Sequence, residues 1–592
     1  MKSGAKTLAL WFLSVCFFDL RLDCESKQAF APPEEGEKWA EQMLSKLSLE
    51  KRVAQLVFID IAGGYIAEAD PRLQEWLRLA REGVGGIVLY GGTPRDVAAL
   101  LNRLQREAPI PLLMAADFEG GPGQQVTGAT EFPANMAFAA TGSEDLMYRT
   151  AQVGAREGRA MGIHLTYSPV VDLTTRPESP AESVRSFGSD VKLLGRLVKA
   201  YVRGYMDGGM LVTAKHYPGR GNVEPWPNQP LFTMIRKSAQ QMENEDLAAF
   251  KKAIEAGVPF VMTEHIVVPS LTDDSDLPAS VERKLATLWL REKLGFQGIL
   301  TTDDLWYDHV VNRFGPVEVG VKALQAGHDL LLKPKDASAM IRGIVDAVKK
   351  GQVSEAHVNQ AVRKLLSWKA RLRLPADRYV DESKVNANVG TTEHWALAQE
   401  VAERSLTLLK NDGVLPVPSS ALKNAVNISI QKLESDPSPP FLSVKLKAAF
   451  PSIRDFTLRP DQDPAAYNRV LEAATAADLV ILSLFVQRDR LGDATPLRAS
   501  DLSLINRIVE AKPRRVVAVS YGNPHLIRKL RTVPVFLVGY GERSWFGNQP
   551  IYFDSFIKWV RGEIKAQGSL PVNVSDEYRV GSGIRAEATR IQ

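Results

Sequence analysis

The sequence predicts an α/β protein, with an N-terminal (β/α)8 TIM-like barrel followed by a C-terminal open α/β sandwich domain. Three observations carry this expectation. Eight short apolar runs alternate with amphipathic helical stretches over roughly 300 residues, the pattern of a parallel sheet with crossover helices closed into a barrel. Five of those runs end on charged or histidine residues, the end at which barrel enzymes place their chemistry. A second group of apolar runs begins after a proline and a polar stretch. The expected boundaries are an export segment over 1–31, the barrel over 32–375, a linker over 376–393 and the second domain over 394–592.

The first segment differs from all that follows. Lys2 and Lys6 precede the apolar run Thr7 to Phe18, which is too short to span a bilayer and has the form of a secretory signal. Ala29-Phe30-Ala31 offers a cleavage site, with Pro32 directly after it. Both cysteines, Cys16 and Cys24, lie in this segment, so the mature chain is expected to hold neither a disulfide nor a cysteine metal site. Cys24 as a lipid-anchored N-terminus is the alternative, although Leu22-Asp23 before it lacks the small residues such processing needs. The expected location is therefore the periplasm or outside the cell. Over all 592 residues, 73 basic and 69 acidic side chains nearly cancel and are interspersed, which removes any electrostatic case for nucleic acid.

From Glu37 the helix and strand repeat begins. Glu37 to Leu49 reads as a helix and Val53 to Ile61 as the first strand. Further runs follow at Gly85–Tyr90, Pro111–Ala116, Gly162–Tyr167, Leu211–Ala214, Pro259–Thr263, Gly298–Thr301 and Asp329–Leu332. Amphipathic stretches such as Arg95 to Arg106, Leu193 to Asp207 and Glu243 to Ala256 lie between them. A basic helix from Val362 to Leu372, then Pro375 and the polar run Asp381 to Thr392, mark the boundary. The second unit opens with a helix from His394 to Leu409 and has strands at Ala425–Ile430, Leu479–Leu484, Arg515–Ser520 and Pro534–Gly539. None of these strands is followed by a phosphate-binding glycine loop.

The strand ends carry the chemical information. They are Asp117 and Glu119 after the third run, Asp172 after the fourth, Lys215-His216 after the fifth, Glu264-His265 after the sixth and Asp303-Asp304 after the seventh. Each alone is usually a cap or a solvated surface pair. Five on one face of one barrel point instead to a site. Because successive strand residues alternate sides, at most one of Asp303 and Asp304 is expected to look into the mouth.

These residues, in this order and spacing, resemble glycoside hydrolase family 3, over a stretch from about Leu44 to the C-terminus. The similar segments are Leu47 to Leu56, Asp117-Phe-Glu-Gly-Gly121, Tyr167-Ser-Pro-Val-Val-Asp172, Arg185-Ser-Phe-Gly188, Lys215-His-Tyr-Pro-Gly219, Gly295 through Asp304, and Ala402 to Pro416. Within the family the barrel is most similar to the β-N-acetylglucosaminidase (β-hexosaminidase) branch. The resemblance implies a retaining hydrolysis with Asp303 as nucleophile, since an anion stabilises the oxocarbenium-like charge at the attacked carbon. It further implies that Asp117, Arg185, Lys215 and His216 hold the sugar's hydroxyls, with His265 and Asp172 as further members of that shell.

The pattern then breaks. Where the branch carries a histidine and acid proton-donor pair, this chain reads Arg220-Gly-Asn-Val-Glu224-Pro-Trp226-Pro-Asn228, with no histidine between His216 and His265. The arginine common after Gly120-Gly121 is replaced by Pro122-Gly123. Several sources for the acid stay open: Glu224, its pKa raised by the apolar residues beside it; a carboxylate of the second domain, Asp489 or Glu542, as in the β-glucosidase branch; and Glu264. A barrel that binds sugar without cleaving it also fits. The expected activity is that of an exo-acting β-glycosidase on terminal β-N-acetylhexosamine or a related hexose of a glycan or cell-wall oligosaccharide, with no cofactor and no metal. A metal-dependent hydrolase built on His216, His265 and Asp303 is the rival class, and the first strand's Ile59-Asp60-Ile61 lacks the paired histidines such barrels bring.

Overall fold

The computed structural model describes residues 30–178, 182–226, 229–486, 493–541, 551–586 and 588–590. The leader residues 1–29, with Cys16 and Cys24, and the second-domain acids Asp489 and Glu542 lie outside the described residues. Among the described residues, no helix is long and apolar enough to cross a membrane.

Eight parallel strands form the barrel: β1 (Val57–Ala62), β2 (Gly86–Tyr90), β3 (Leu113–Ala116), β4 (Leu165–Thr166), β5 (Leu211–Tyr217), β6 (Phe260–Thr263), β7 (Ile299–Thr302) and β8 (Leu331–Leu332). Each pairs with the next in chain order, β1 pairs with β8, and a bridge between Thr301 and Leu330 closes the ring. Strands β3, β6 and β7 are buried along their whole length, which is why they read as continuous apolar runs and not as alternating ones. Gly298 leads into β7 because a side chain there would stand 2.3 Å from the carbonyl oxygen of Pro259. Fully buried Ile299, Leu300, Phe260 and Val261 belong to one core that extends to the surrounding helices; each such side chain contributes roughly 1.5–3 kcal/mol by leaving water.

The first strand corrects the sequence expectation. Val53 to Gln55 belong to a helix, Leu49–Gln55, capped by Ser48, whose hydroxyl accepts the N–H of Lys51; the strand starts only at Val57. Between β5 and β6 the chain forms a hairpin of Glu224–Trp226 and Gln229–Met234, whose second arm pairs with Ile266–Val267.

The region expected as a linker packs on the barrel: Val385 and Val389 are buried, and Asn102 exchanges two hydrogen bonds with the backbone of Val380. Beyond it, six strands form the second sheet: β9 (Thr407–Asn411), β10 (Ala425–Gln431), β11 (Arg454–Leu458), β12 (Leu479–Phe485), β13 (Val516–Ser520) and β14 (Val535–Val538). Their order is β9-β14-β13-β12-β10-β11, all parallel except β9. Two edge strands, β9 and β11, had no sequence counterpart. Helix Thr392–Ser405 stops before Leu409, leaving Thr407–Asn411 to run as β9.

One face of this sheet packs on the barrel. Ala134, Met136, Ala137 and Val184 share a core with Val426, Ile428 and Leu482. The contact matters for the site, because Val184 adjoins Arg185 and the N–H of Ser189 donates to Pro571 across the boundary.

Candidate active site

The strand ends open on a pocket of about 440 Å³, within the usual range for a small-ligand site, lined among others by Asp117, Arg185, Lys215, His216, Asp303 and Asp304. The position of each follows from its strand. Asp117 comes directly after β3, Lys215 and His216 end β5, and Asp303 follows β7, where its N–H donates to Thr263 on β6 at 2.8 Å.

Around the mouth, charges alternate in an unbroken chain. Lys215 Nζ lies 2.6 Å from Asp117 and 2.6 Å from Glu119. Arg185 grips Glu119 with two parallel bonds of 2.8 Å and also pairs with Glu182. Glu182 in turn meets Arg220 at 3.0 Å, and Arg220 reaches Glu264 at 2.8 Å. On the other side Lys333 joins Asp304 at 2.8 Å and the Tyr90 hydroxyl at 3.0 Å, and that hydroxyl donates to Asp117 at 3.3 Å. Buried ion pairs of this kind lose solvation, a cost that only close geometry and added hydrogen bonds offset.

The electrostatic consequences differ from residue to residue. Burial pushes the Glu119 carboxyl up, but Arg185 and Lys215 outweigh it and hold the group well below the usual carboxylate range. Burial likewise opposes the charge of Lys215, and Asp117 and Glu119 restore it beyond its ordinary value. Asp303 is driven the other way. Burial, the charge of Glu264 and that of Asp304 hold its pKa well above the ordinary range, against the pull of Arg220 and the N–H of Asp304.

His216 is fixed from behind. Its Nδ1 lies 2.7 Å from Asp172 Oδ2, and Asp172 also accepts the backbone N–H groups of His216 and Arg220. His216 also lines the pocket. Atoms of His216, Glu264 and Asp303 lie within 4.8 Å of one another, all buried.

Three expectations are corrected by this geometry. Asp303 and Asp304 both line the pocket, because the strand ends at Thr302 and the chain turns there, with the Asp304 N–H donating to Asp303 Oδ1 at 2.6 Å. Glu224 is not brought to the pocket: it starts the hairpin arm and is held there by Arg176 and Arg236. His265 faces away. Its Nε2 donates to the carbonyl of Asp304 at 3.0 Å and its Nδ1 accepts from Ser280 at 2.8 Å, so it neither lines the pocket nor joins His216 and Asp303 as a metal ligand. The residues that sequence reasoning missed are Tyr90 and Lys333, which end β2 and follow β8, and Glu182. The first two were visible as polar ends of apolar runs; Glu182 had no such signal.

Comparison with known proteins bears on the family and the fold. Residues 48–368 match the model described as "Glycosyl hydrolase family 3 N terminal domain". The chain is 30% identical over 397 residues to a "Beta-N-acetylglucosaminidase/beta-glucosidase" of Cellulomonas fimi, covering 66% of this chain and 69% of that protein. It is 28% identical to "Beta-hexosaminidase A" of Pseudoalteromonas piscicida, covering 59% and 63%. Among solved structures, the family 3 β-N-acetylglucosaminidase from Paenibacillus sp. str. FPU-7 superposes with a TM-score of 0.76 at 26% identity, covering 89% of this chain and 99% of that one. The match spans the barrel and the ring of strand-end residues just described, and on that ground the chain belongs to glycosyl hydrolase family 3.

Proposed function

We propose that this protein is a retaining exo-β-glycosidase that removes terminal β-linked sugars, with β-N-acetylhexosaminides as its substrates. The observation that supports this reading is the placement of the Asp303 carboxyl in a pocket whose other walls offer Lys215, Arg185, His216 and Asp117. Those side chains supply directed donors and acceptors for sugar hydroxyls, and the strand ends fix their spacing. A carboxylate so placed forms the bond to the anomeric carbon, and water releases the sugar in a second step. Partners are expected to be carbohydrates, a glycan or cell-wall fragment. The leader pattern of residues 1–31 supports export as part of the same proposal.

The hexosamine preference is supported by the names of the relatives, one of which also carries the β-glucosidase name. The test is a panel of aryl β-glycosides of N-acetylglucosamine, N-acetylgalactosamine and glucose, with the anomer of the first-formed product read by NMR. The expected result is fastest release from an N-acetylhexosaminide with β product first. Release of α product, or no release from any β-glycoside, contradicts the reading.

A second reading is a sugar-binding protein without turnover. The loop from Arg220 to Asn228 favours it, because Glu224, the acid within that loop, is occupied by two arginines. It predicts saturable sugar binding by calorimetry from a chain that cleaves none of the panel.

A further inference from the structure

A buried polar atom without a hydrogen-bond partner is costly, and a binding site is where a ligand can supply the partner. Among the described residues, two side chains of the pocket lining carry such an atom. The Tyr167 hydroxyl and Gln125 Oε1 are buried and unpartnered, in residues that keep 1% and 5% exposure. The charged side chains around them are engaged with one another instead. Tyrosine offers an O–H and the amide oxygen accepts one, so the ligand that completes the lining both gives and takes hydrogen bonds, as sugar hydroxyls do.

The tyrosine belongs to the floor of the pocket. It directly follows β4, and Met262 of β6 and Leu332 of β8 line the pocket with it. Side chains from alternate strands pack as one layer across a barrel's interior, so this floor is apolar except for one hydroxyl. Burial, then the charges of Asp117 and Asp304, push the phenol far up, and it keeps its proton to donate. Those two acids also orient it. They belong with Tyr90 and Lys333 to one hydrogen-bonded group, whereas His216 and Asp303 stand together at the ends of β5 and β7. With C1 of a sugar over Asp303, the first group meets the edge of the ring remote from C1. On that edge the hydroxymethyl at C5 is the substituent that combines a methylene, which covers Met262 and Leu332, with a hydroxyl.

Resting on the glycosidase reading above, we propose that Tyr167 is the residue that selects a hexose. Its O–H donates to the hydroxyl oxygen on C6 while the C6 methylene lies on Met262 and Leu332. Gln125 Oε1 accepts from a hydroxyl of the same ring. A pentopyranoside, which lacks C6, would leave the tyrosine without a partner and the floor uncovered.

The test measures kcat/KM of the parent chain and of Tyr167→Phe on three 4-nitrophenyl β-glycosides: the preferred hexose, its 6-deoxy analogue and the pentose without C6. The parent is expected to favour the hexoside over the 6-deoxy analogue by at least about tenfold. The pentoside should be slower again, since a methylene missing from such a pocket is worth about 10–200-fold. Tyr167→Phe is expected to lose about tenfold on the hexoside and to keep the parent rate on the 6-deoxy analogue. Its thermal midpoint should match or exceed the parent's, because the change removes an unpartnered polar atom from the interior. A lowered midpoint would show that the hydroxyl has a structural partner, which overturns the assignment. So does a parent that cleaves the 6-deoxy analogue as fast as the hexoside, or a Tyr167→Phe that loses equally on both, while the glycosidase reading stands. A parent chain inert on all three overturns the glycosidase reading itself, and the assignment with it.

Discussion

Glu264 and Asp303 sit side by side because Thr263 and Thr302 are register partners at the ends of adjacent strands, which places a Glu264 oxygen within 4.8 Å of an Asp303 oxygen. The arrangement makes a titratable pair out of two positions 39 apart in the chain. Arg220 reaches Glu264 at 2.8 Å and Asp304 and His216 stand beside the same pair, so its protonation is set by burial and by these three neighbours.

The pair makes a pH prediction. As the proposed nucleophile Asp303 would attack only when ionised, and burial together with the charges of Glu264 and Asp304 raises its pKa. The acidic limb of kcat/KM is therefore expected above the usual carboxylate value of about 4, with activity falling as pH drops through it. Glu264→Gln removes one of the charges that raise Asp303. Measured on a dinitrophenyl glycoside, the limb is expected to move to lower pH in that variant; an unmoved limb would show that Glu264 does not act on Asp303.

The Glu119 cluster makes a stability prediction. Replacing Glu119 by Ala leaves Lys215 and Arg185 facing each other without their shared counter-charge, and breaking a buried pair costs about 3–5 kcal/mol. Chemical denaturation at pH 7 measures this directly. The folded pKa of Glu119 is depressed, so its contribution is complete above the unfolded value of about 4 and fades as pH falls below it. The stability gap between parent and Glu119→Ala should therefore narrow on acidification, and a gap that widens would contradict the ion-pair account.

Gly188 ties the second domain to the loop that carries Arg185. It has a φ of +108°, and a side chain there would stand 2.1 Å from the Pro571 carbonyl oxygen. Gly188→Ala is expected to push apart the contact between the domains and shift the loop that carries Arg185, raising KM more than it lowers kcat. The strained backbone adds about 1–3 kcal/mol of lost stability. Kinetics on an aryl glycoside and a thermal melt read the two effects.

His265 is a positioning residue in this account. Its bond to the Asp304 carbonyl braces the turn that carries Asp303. His265→Ala is expected to lower kcat about tenfold while KM changes little, and to cost about 1–3 kcal/mol of stability. A large rise in KM alone would instead place His265 in contact with sugar.

Much of this site was legible in the sequence, and the misses have physical causes. The apolar runs of β2 through β8 stand out because a parallel barrel buries both faces, and their polar ends mark the mouth. Val53 to Gln55 misled because a short apolar run fits helix and strand alike; Ser48, a helix cap, was the overlooked signal. β11 carries only one buried residue among Arg454 to Leu458, and an edge strand of that kind has no apolar signature. What no pattern in one sequence supplies is the register of β6 against β7, which sets the distance between Glu264 and Asp303.

The central claim is that the Asp303 carboxyl bonds to a sugar carbon. A slow 5-fluoroglycosyl fluoride of the preferred sugar, followed by proteolysis and mass spectrometry, tests it most directly. The account predicts one covalent sugar per chain, on the peptide containing Asp303, and no adduct in Asp303→Asn. An adduct on any other residue, or turnover of aryl glycosides by Asp303→Asn at a parent-like rate, would contradict it.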